Sequence, residues 1–93
     1  MPPEKTVTIK GFSIFQMVLG NADHRIRADV DTLGQLLKVL KVRSGIGVDV
    51  DDGRFSFEGR PISLFINGRE VFDPGEALND GDYLMLFPVI DGG

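Results

Sequence analysis

The chain has 93 residues, enough for one domain spanning 1–93, and a domain of this size buries only roughly 60% of the surface its unfolded chain exposes. Its hydrophobic fraction of 42% and charged fraction of 26% are those of an ordinary globular protein. Its formal net charge of -4 works against partners that need a basic footprint, nucleic acids and anionic membranes among them. With no cysteine there are no disulfides, thiolate metal sites or cysteine nucleophiles, and together with an N-terminus lacking an apolar leader this points to a cytoplasmic protein.

Thr6–Phe12 alternates Val7, Ile9 and Gly11 with Thr8, Lys10 and Phe12, which predicts a strand with one buried face. Ser13–Leu19 is apolar and poorly patterned. Gly20-Asn21 supplies turn residues, and His24–Val30 alternates again, so the first two strands are expected to form an antiparallel pair with an irregular connection. A helix follows. Thr32 and Gln35 form a capping box, Leu33, Leu36, Leu37 and Leu40 make one apolar stripe, Lys38, Lys41 and Arg43 suit the negative helix end, and Gly45 is a stop.

Residues 45–61 are the least regular stretch, with 54–58 either a short strand or a loop whose phenylalanines pack down. Asn67-Gly68 between Ser63–Ile66 and Arg69–Phe72 is a strong hairpin signal, because both turn residues tolerate positive φ. Asn79-Asp80-Gly81-Asp82 turns the chain into the last strand, Tyr83–Val89. The order β-β-α-β-β-β predicts an α+β fold, a mixed sheet with one main helix on one face.

Few residues could carry chemistry. His24 is the only histidine and has no partner set for catalysis or metal binding, so it reads as a surface or strand-edge residue. Asp49, Asp51 and Asp52 beside Gly53 look like a calcium loop, but counting Gly53 as the sixth position places Val48 where the first carboxylate belongs; a solvated loop is expected. Gly45-Ile46-Gly47 follows a helix and lacks the Gly-Lys-Ser/Thr of a phosphate loop. No catalytic residue and no metal ligand is expected.

The end of the sequence is different. Phe87-Pro88-Val89-Ile90-Asp91-Gly92-Gly93 runs from the last strand into a short flexible tail at about 90–93. Two terminal glycines have no side-chain bulk and can thread a narrow channel. A carboxylate is a poor electrophile until it carries a leaving group, and an ATP-using partner could supply one as an acyl-adenylate at Gly93. Sulfide, a thiol or an amine could then attack. None of this needs a catalytic residue or a bound cofactor in this chain.

The tail resembles that of small sulfur-carrier proteins, in which an aromatic-proline pair precedes Gly-Gly. Phe65-Ile66-Asn67-Gly68-Arg69-Glu70-Val71 resembles their hairpin, Ala77-Leu78-Asn79-Asp80-Gly81-Asp82 their last turn, and Asp31-Thr32-Leu33-Gly34-Gln35-Leu36-Leu37 their helix entry. The match covers most of the chain and is weak between Gly45 and Pro61. By these motifs the chain is similar to the MoaD/ThiS group of ubiquitin-like β-grasp proteins, closest in look to the small subunit of molybdopterin synthase. The resemblance implies a mixed sheet around one helix, an E1-like adenylating enzyme that uses ATP, and conversion of the Gly93 carboxylate to a thiocarboxylate. It also implies a sulfur-accepting synthase subunit as partner. Thiamine, cysteine and tRNA thiolation are alternative destinations. Conjugation of Gly93 to lysines, as a ubiquitin-like modifier, is a second reading, and a β-grasp binding module with incidental glycines a third.

The pleat adds one expectation. Val7, Ile9, Leu64, Ile66, Leu84 and Leu86 should face the helix, which leaves Phe12, Phe65, Met85 and Phe87 on the other face. Four large apolar groups exposed together are costly unless covered. They are expected to form one partner-binding patch beside the root of the tail, unless Phe55 and Phe57 fold across them.

Overall fold

The computed structural model describes residues 4–12, 14–20, 23–51 and 53–89. Ser13, Asn21, Asp52 and the expected tail at 90–93, Gly92 and Gly93 included, lie outside the described residues. The elements are β1 (Lys5–Gly11), α1 (Ile14–Leu19), β2 (His24–Ala28), α2 (Leu33–Ser44), β3 (Val48–Asp51), β4 (Arg54–Phe57), β5 (Arg60–Ile66), β6 (Arg69–Val71) and β7 (Tyr83–Pro88).

One sheet holds all seven strands in the order β2-β1-β7-β5-β4-β3, with β6 also paired to β5. β1 runs antiparallel to β2, with Val7 opposite Ile26, and parallel to β7, with Ile9 beside Leu84. β7 runs antiparallel to β5, with Leu64 opposite Leu86. The expected β-β-α-β-β-β order is the path β1-β2-α2-β5-β6-β7, and α1 and the β3–β4 hairpin are additions to it.

The buried face follows the sequence period. Val7, Ile9, Leu64, Leu84 and Leu86 are fully buried and Ile66 nearly so, sharing the core with Leu33, Leu36, Leu37 and Leu40 of α2. The capping box of α2 is formed: Gln35 N–H donates to Thr32 Oγ1, and Thr32 N–H donates to Gln35 Oε1, both at 3.3 Å. At the other end the Gly45 N–H donates to the Lys41 carbonyl, with Gly45 left-handed. Asn67 and Gly68 have φ of 53° and 83°, as their hairpin turn requires.

Two stretches differ from the expectation. Residues 14–19 form a short helix instead of an irregular connection, and Phe15 is fully buried in the core. A six-residue helix is under two turns long, too short for a 3.6-residue period to show in the sequence. In the 45–61 segment the short-strand alternative for 54–58 is the one that forms, as β4; the difference is its partner β3, with Val50 opposite Phe55 and Asp51 opposite Arg54, so Asp49 and Asp51 lie exposed on a strand and not in a loop. The last strand also ends one residue early, at Pro88, although the Val89 N–H still donates to the Pro61 carbonyl at 3.1 Å.

Candidate functional site

The sheet face turned away from α2 carries the expected aromatic group. Phe12 follows β1, and its N–H donates to the Leu86 carbonyl at 3.0 Å, extending the β1–β7 ladder by one residue. That extra rung sets the Phe12 ring on the Phe87 ring, with centroids 4.3 Å apart and planes 19° from parallel. Phe65 meets Phe87 edge-on at 5.4 Å, with 82° between planes. Met85 lies opposite Phe65 across the β5–β7 ladder and beside Lys10 across the β1–β7 ladder. All four side chains are half-buried, and the Lys10 ammonium lies 5.8 Å from the Phe12 ring centroid. Stacked and edge-on pairs each stabilise by about 0.5–1.5 kcal/mol beyond the area they bury.

Phe55 and Phe57 take a different course. Phe55 is buried in the core, and Phe57 packs on Phe15 with centroids 5.1 Å apart. Both therefore serve the helix side of the sheet.

The residues that hold β7 in place come from the two turns flagged by the sequence. Asp82 is nearly buried; one carboxylate oxygen accepts from the Asn67 side-chain amide at 2.9 Å and the other from the Asn79 N–H at 2.8 Å. Asn67 Oδ1 accepts in turn from the Tyr83 N–H at 2.9 Å, and Asp80 accepts from the Thr6 N–H at 2.7 Å. The β5–β6 turn, the start of β7 and the start of β1 are thus tied by charge-assisted bonds. Asn79–Asp82 is the expected turn, and its acidic residues also fix the strand that leads to the tail. Tyr83 donates its hydroxyl to Asp23 at 2.8 Å, and that bond, with lesser help from desolvation and the carboxylate charge, raises the phenol above its usual value.

Phe87 leads through Pro88 and Val89 into residues 90–93. Val89, 44% exposed, is the last described residue, and the aromatic group therefore sits two residues before it. Gly92 and Gly93, the expected reacting end, lie outside the described residues. His24 is half-buried at the start of β2, opposite Ile9. Among the described residues no group of three or more His, Cys, Asp or Glu side chains could hold a metal ion, and no helix is long and apolar enough to cross a membrane.

A helix grasped by a sheet with parallel central strands β1 and β7, the first antiparallel to β2, defines the ubiquitin-like β-grasp class. No family model matches the chain. Small archaeal modifier protein 3 of Haloferax volcanii is 34% identical over 92 residues, covering 91% of this chain and 96% of that protein. The crystal structure of small archaeal modifier protein 1 from Haloferax volcanii is similar with a TM-score of 0.71 and 32% identity, over 95% of this chain and 99% of that one. A putative molybdopterin converting factor subunit 1 from Pyrococcus furiosus shares the fold with a TM-score of 0.70 at 22% identity, over 92% and 99% of the two chains. The chain belongs to the small archaeal modifier proteins, a family with the ubiquitin-like β-grasp fold. Proteins of this family are small carriers, not catalysts, and membership implies an E1-like activating partner.

Proposed function

We propose that this protein is a sulfur carrier whose reacting group is the carboxylate of Gly93. An E1-like partner joins that carboxylate to the AMP moiety of ATP and releases pyrophosphate. Sulfide, or a donor of sulfur at the sulfide level, then attacks the carbonyl and displaces AMP, leaving a thiocarboxylate at Gly93. The thiocarboxylate sulfur bonds to the acceptor, and water then cleaves the bond between that sulfur and the Gly93 carbonyl carbon, leaving the sulfur on the acceptor and restoring the carboxylate. Gly92 acts as the spacer that lets Gly93 reach a partner's active site. The destination we favour is a molybdopterin-type cofactor, made with a sulfur-accepting synthase subunit.

The observation that carries the reading is the kinship with a small archaeal modifier protein over 91% of this chain, in a sequence that finishes Asp91-Gly92-Gly93. The pterin destination draws its support from the Phe87–Gly93 motif and its likeness to the small subunit of molybdopterin synthase. Phe12, Phe65, Met85 and Phe87 serve in this proposal as the face on which the activating and accepting partners dock, since a partner held there would have the tail beside its active site. The test is the intact mass of the protein from its native host, which must include a species with one oxygen replaced by sulfur at Gly93.

The relative's name favours a second reading, conjugation of Gly93 to lysines of other proteins. Both readings share the activation step and differ in the nucleophile. Adducts joined through an isopeptide bond at Gly93, without a thiocarboxylate species, would select the second.

A further inference from the structure

A second feature lies on the opposite side of the sheet from the aromatic group and far from the tail in the strand order. β3 is an edge strand, at the end of the order opposite β2, and among the described residues it pairs only with β4. An edge strand leaves alternate N–H and C=O groups without partners and so templates the addition of another strand. Along that edge, between β3 and α2, runs an open groove of about 440 Å³. Leu37, Val48 and Val50 supply its apolar surface, Lys38 and Lys41 its basic side, and Pro74 stands at one end. Val50 is 43% exposed, an uncovered aliphatic side chain facing the groove.

Dimensions match a short extended segment. Gly34 to Lys41 spans roughly 10 Å along the helix, and the four residues of β3 span about 13 Å. Both correspond to three or four residues of extended chain. Lys41 lies along this edge, its aliphatic stem passing the site of a Cβ on Gly47 at 3.5 Å, directly beside the start of β3.

Charge defines the occupant. Val48 and Val50 lie opposite Phe57 and Phe55 and share their face, whereas Asp49 and Asp51, opposite Ser56 and Arg54, point to the other side. Lys38 and Lys41 take part in no ion pair among the described residues. A strand added to β3 would therefore meet aliphatic and cationic groups on its groove side and two carboxylates on its outer side. A second copy of this chain pairing through β3 would bring four carboxylates together, and like charges across a ladder destabilise it.

We propose that the α2–β3 groove binds an extended segment of a partner protein that adds a strand to β3. Its groove-facing positions are aliphatic and then acidic, and its outward positions are basic. Backbone bonds to β3 would supply affinity, and the alternating side chains specificity. The proposal is independent of the chemistry at Gly93.

The test titrates the peptide acetyl-Val-Arg-Val-Arg-Glu-Thr-amide into the full chain and follows two-dimensional amide NMR spectra. Saturable shifts confined to residues 34–41 and 48–51 are expected below about 1 mM. The isomer acetyl-Val-Val-Arg-Arg-Glu-Thr-amide, with the alternation broken, should bind at least about tenfold more weakly, as should the first peptide to Lys38→Glu/Lys41→Glu. Both lysines are on the surface of α2; should that variant unfold, Lys38→Gln/Lys41→Gln replaces it with the same expected direction. No saturable shift, shifts elsewhere, equal binding of the isomer or indifference to the lysine changes overturns the proposal. So does concentration-dependent dimerisation with shifts at β3 in the absence of peptide.

Discussion

Phe12 stacks on Phe87 with ring centroids 4.3 Å apart, although the two residues belong to opposite ends of the chain. The parallel pairing of β1 with β7, carried one residue further by the Phe12 N–H, brings them together. The first strand of the fold thereby braces the segment from which the tail departs.

If that face receives partners, a charge placed on it should harm activation more than folding. Met85→Asp should keep a native amide spectrum, because Met85 is half-buried on the sheet surface. Pyrophosphate exchange catalysed by the cognate activating enzyme should fall about tenfold or more in kcat/KM, a loss of about 1.4 kcal/mol in transition-state stabilisation. Unchanged exchange would show that the partner docks elsewhere.

Gly11→Ala should destabilise the fold. A Cβ at Gly11 would lie 2.5 Å from the Phe15 Cβ and 2.8 Å from its backbone carbon, so α1 must move away from β1. Overpacking of this kind costs about 1–3 kcal/mol, which lowers Tm by about 4–8 °C for each kcal/mol in a domain of this size. A thermal melt superimposable on that of the native chain would contradict the close approach.

Asp82→Ala should cost about 1–3 kcal/mol, measured by urea denaturation, because it strips the Asn79 N–H and the Asn67 side-chain amide of their acceptor. Asn67→Ala should weaken the same junction, and the double variant should cost less than the sum, since the pair shares one bond. Full additivity would show that the two residues do not act together.

The sole tyrosine should titrate late. The Tyr83–Asp23 bond raises the phenol above its usual value near 10, so the folded state holds this proton more tightly than the unfolded state. The contribution to stability is complete below pH 10 and is lost as pH rises through the folded value. Ultraviolet absorption of the phenolate reads this directly. A midpoint at the ordinary value, or one unmoved by Asp23→Asn, would contradict the bond.

The parts of the fold legible in the sequence were those with a repeated local rule. Alternation over Val7–Ile9, Leu64–Ile66 and Leu84–Leu86 marked the buried face, and the leucine stripe with the Thr32–Gln35 box marked α2. The Asn67-Gly68 turn fixed the β5–β6 register. Phe15 escaped because a helix of six residues is too short to show a period, and its place depends on a glycine four residues earlier. The short-strand alternative for 54–58 is β4, but its partner β3 escaped, because Val48 and Val50 are interleaved with aspartates that read as a solvated loop. The aromatic group was legible as four outward positions, but its stacking depends on β1 lying beside β7, a pairing between residues more than 70 positions apart. The α2–β3 groove needs both the hairpin and the helix in place, so no local signal announces it.

The most direct test of the central claim is the mass of the C-terminal peptide carrying Gly93, taken from protein isolated from its native host. The account requires a species in which one carboxylate oxygen has become sulfur, absent when the activating enzyme is removed and impossible after deletion of Gly93. An unmodified carboxylate throughout, with sulfur delivery intact in a strain lacking Gly93, would contradict it.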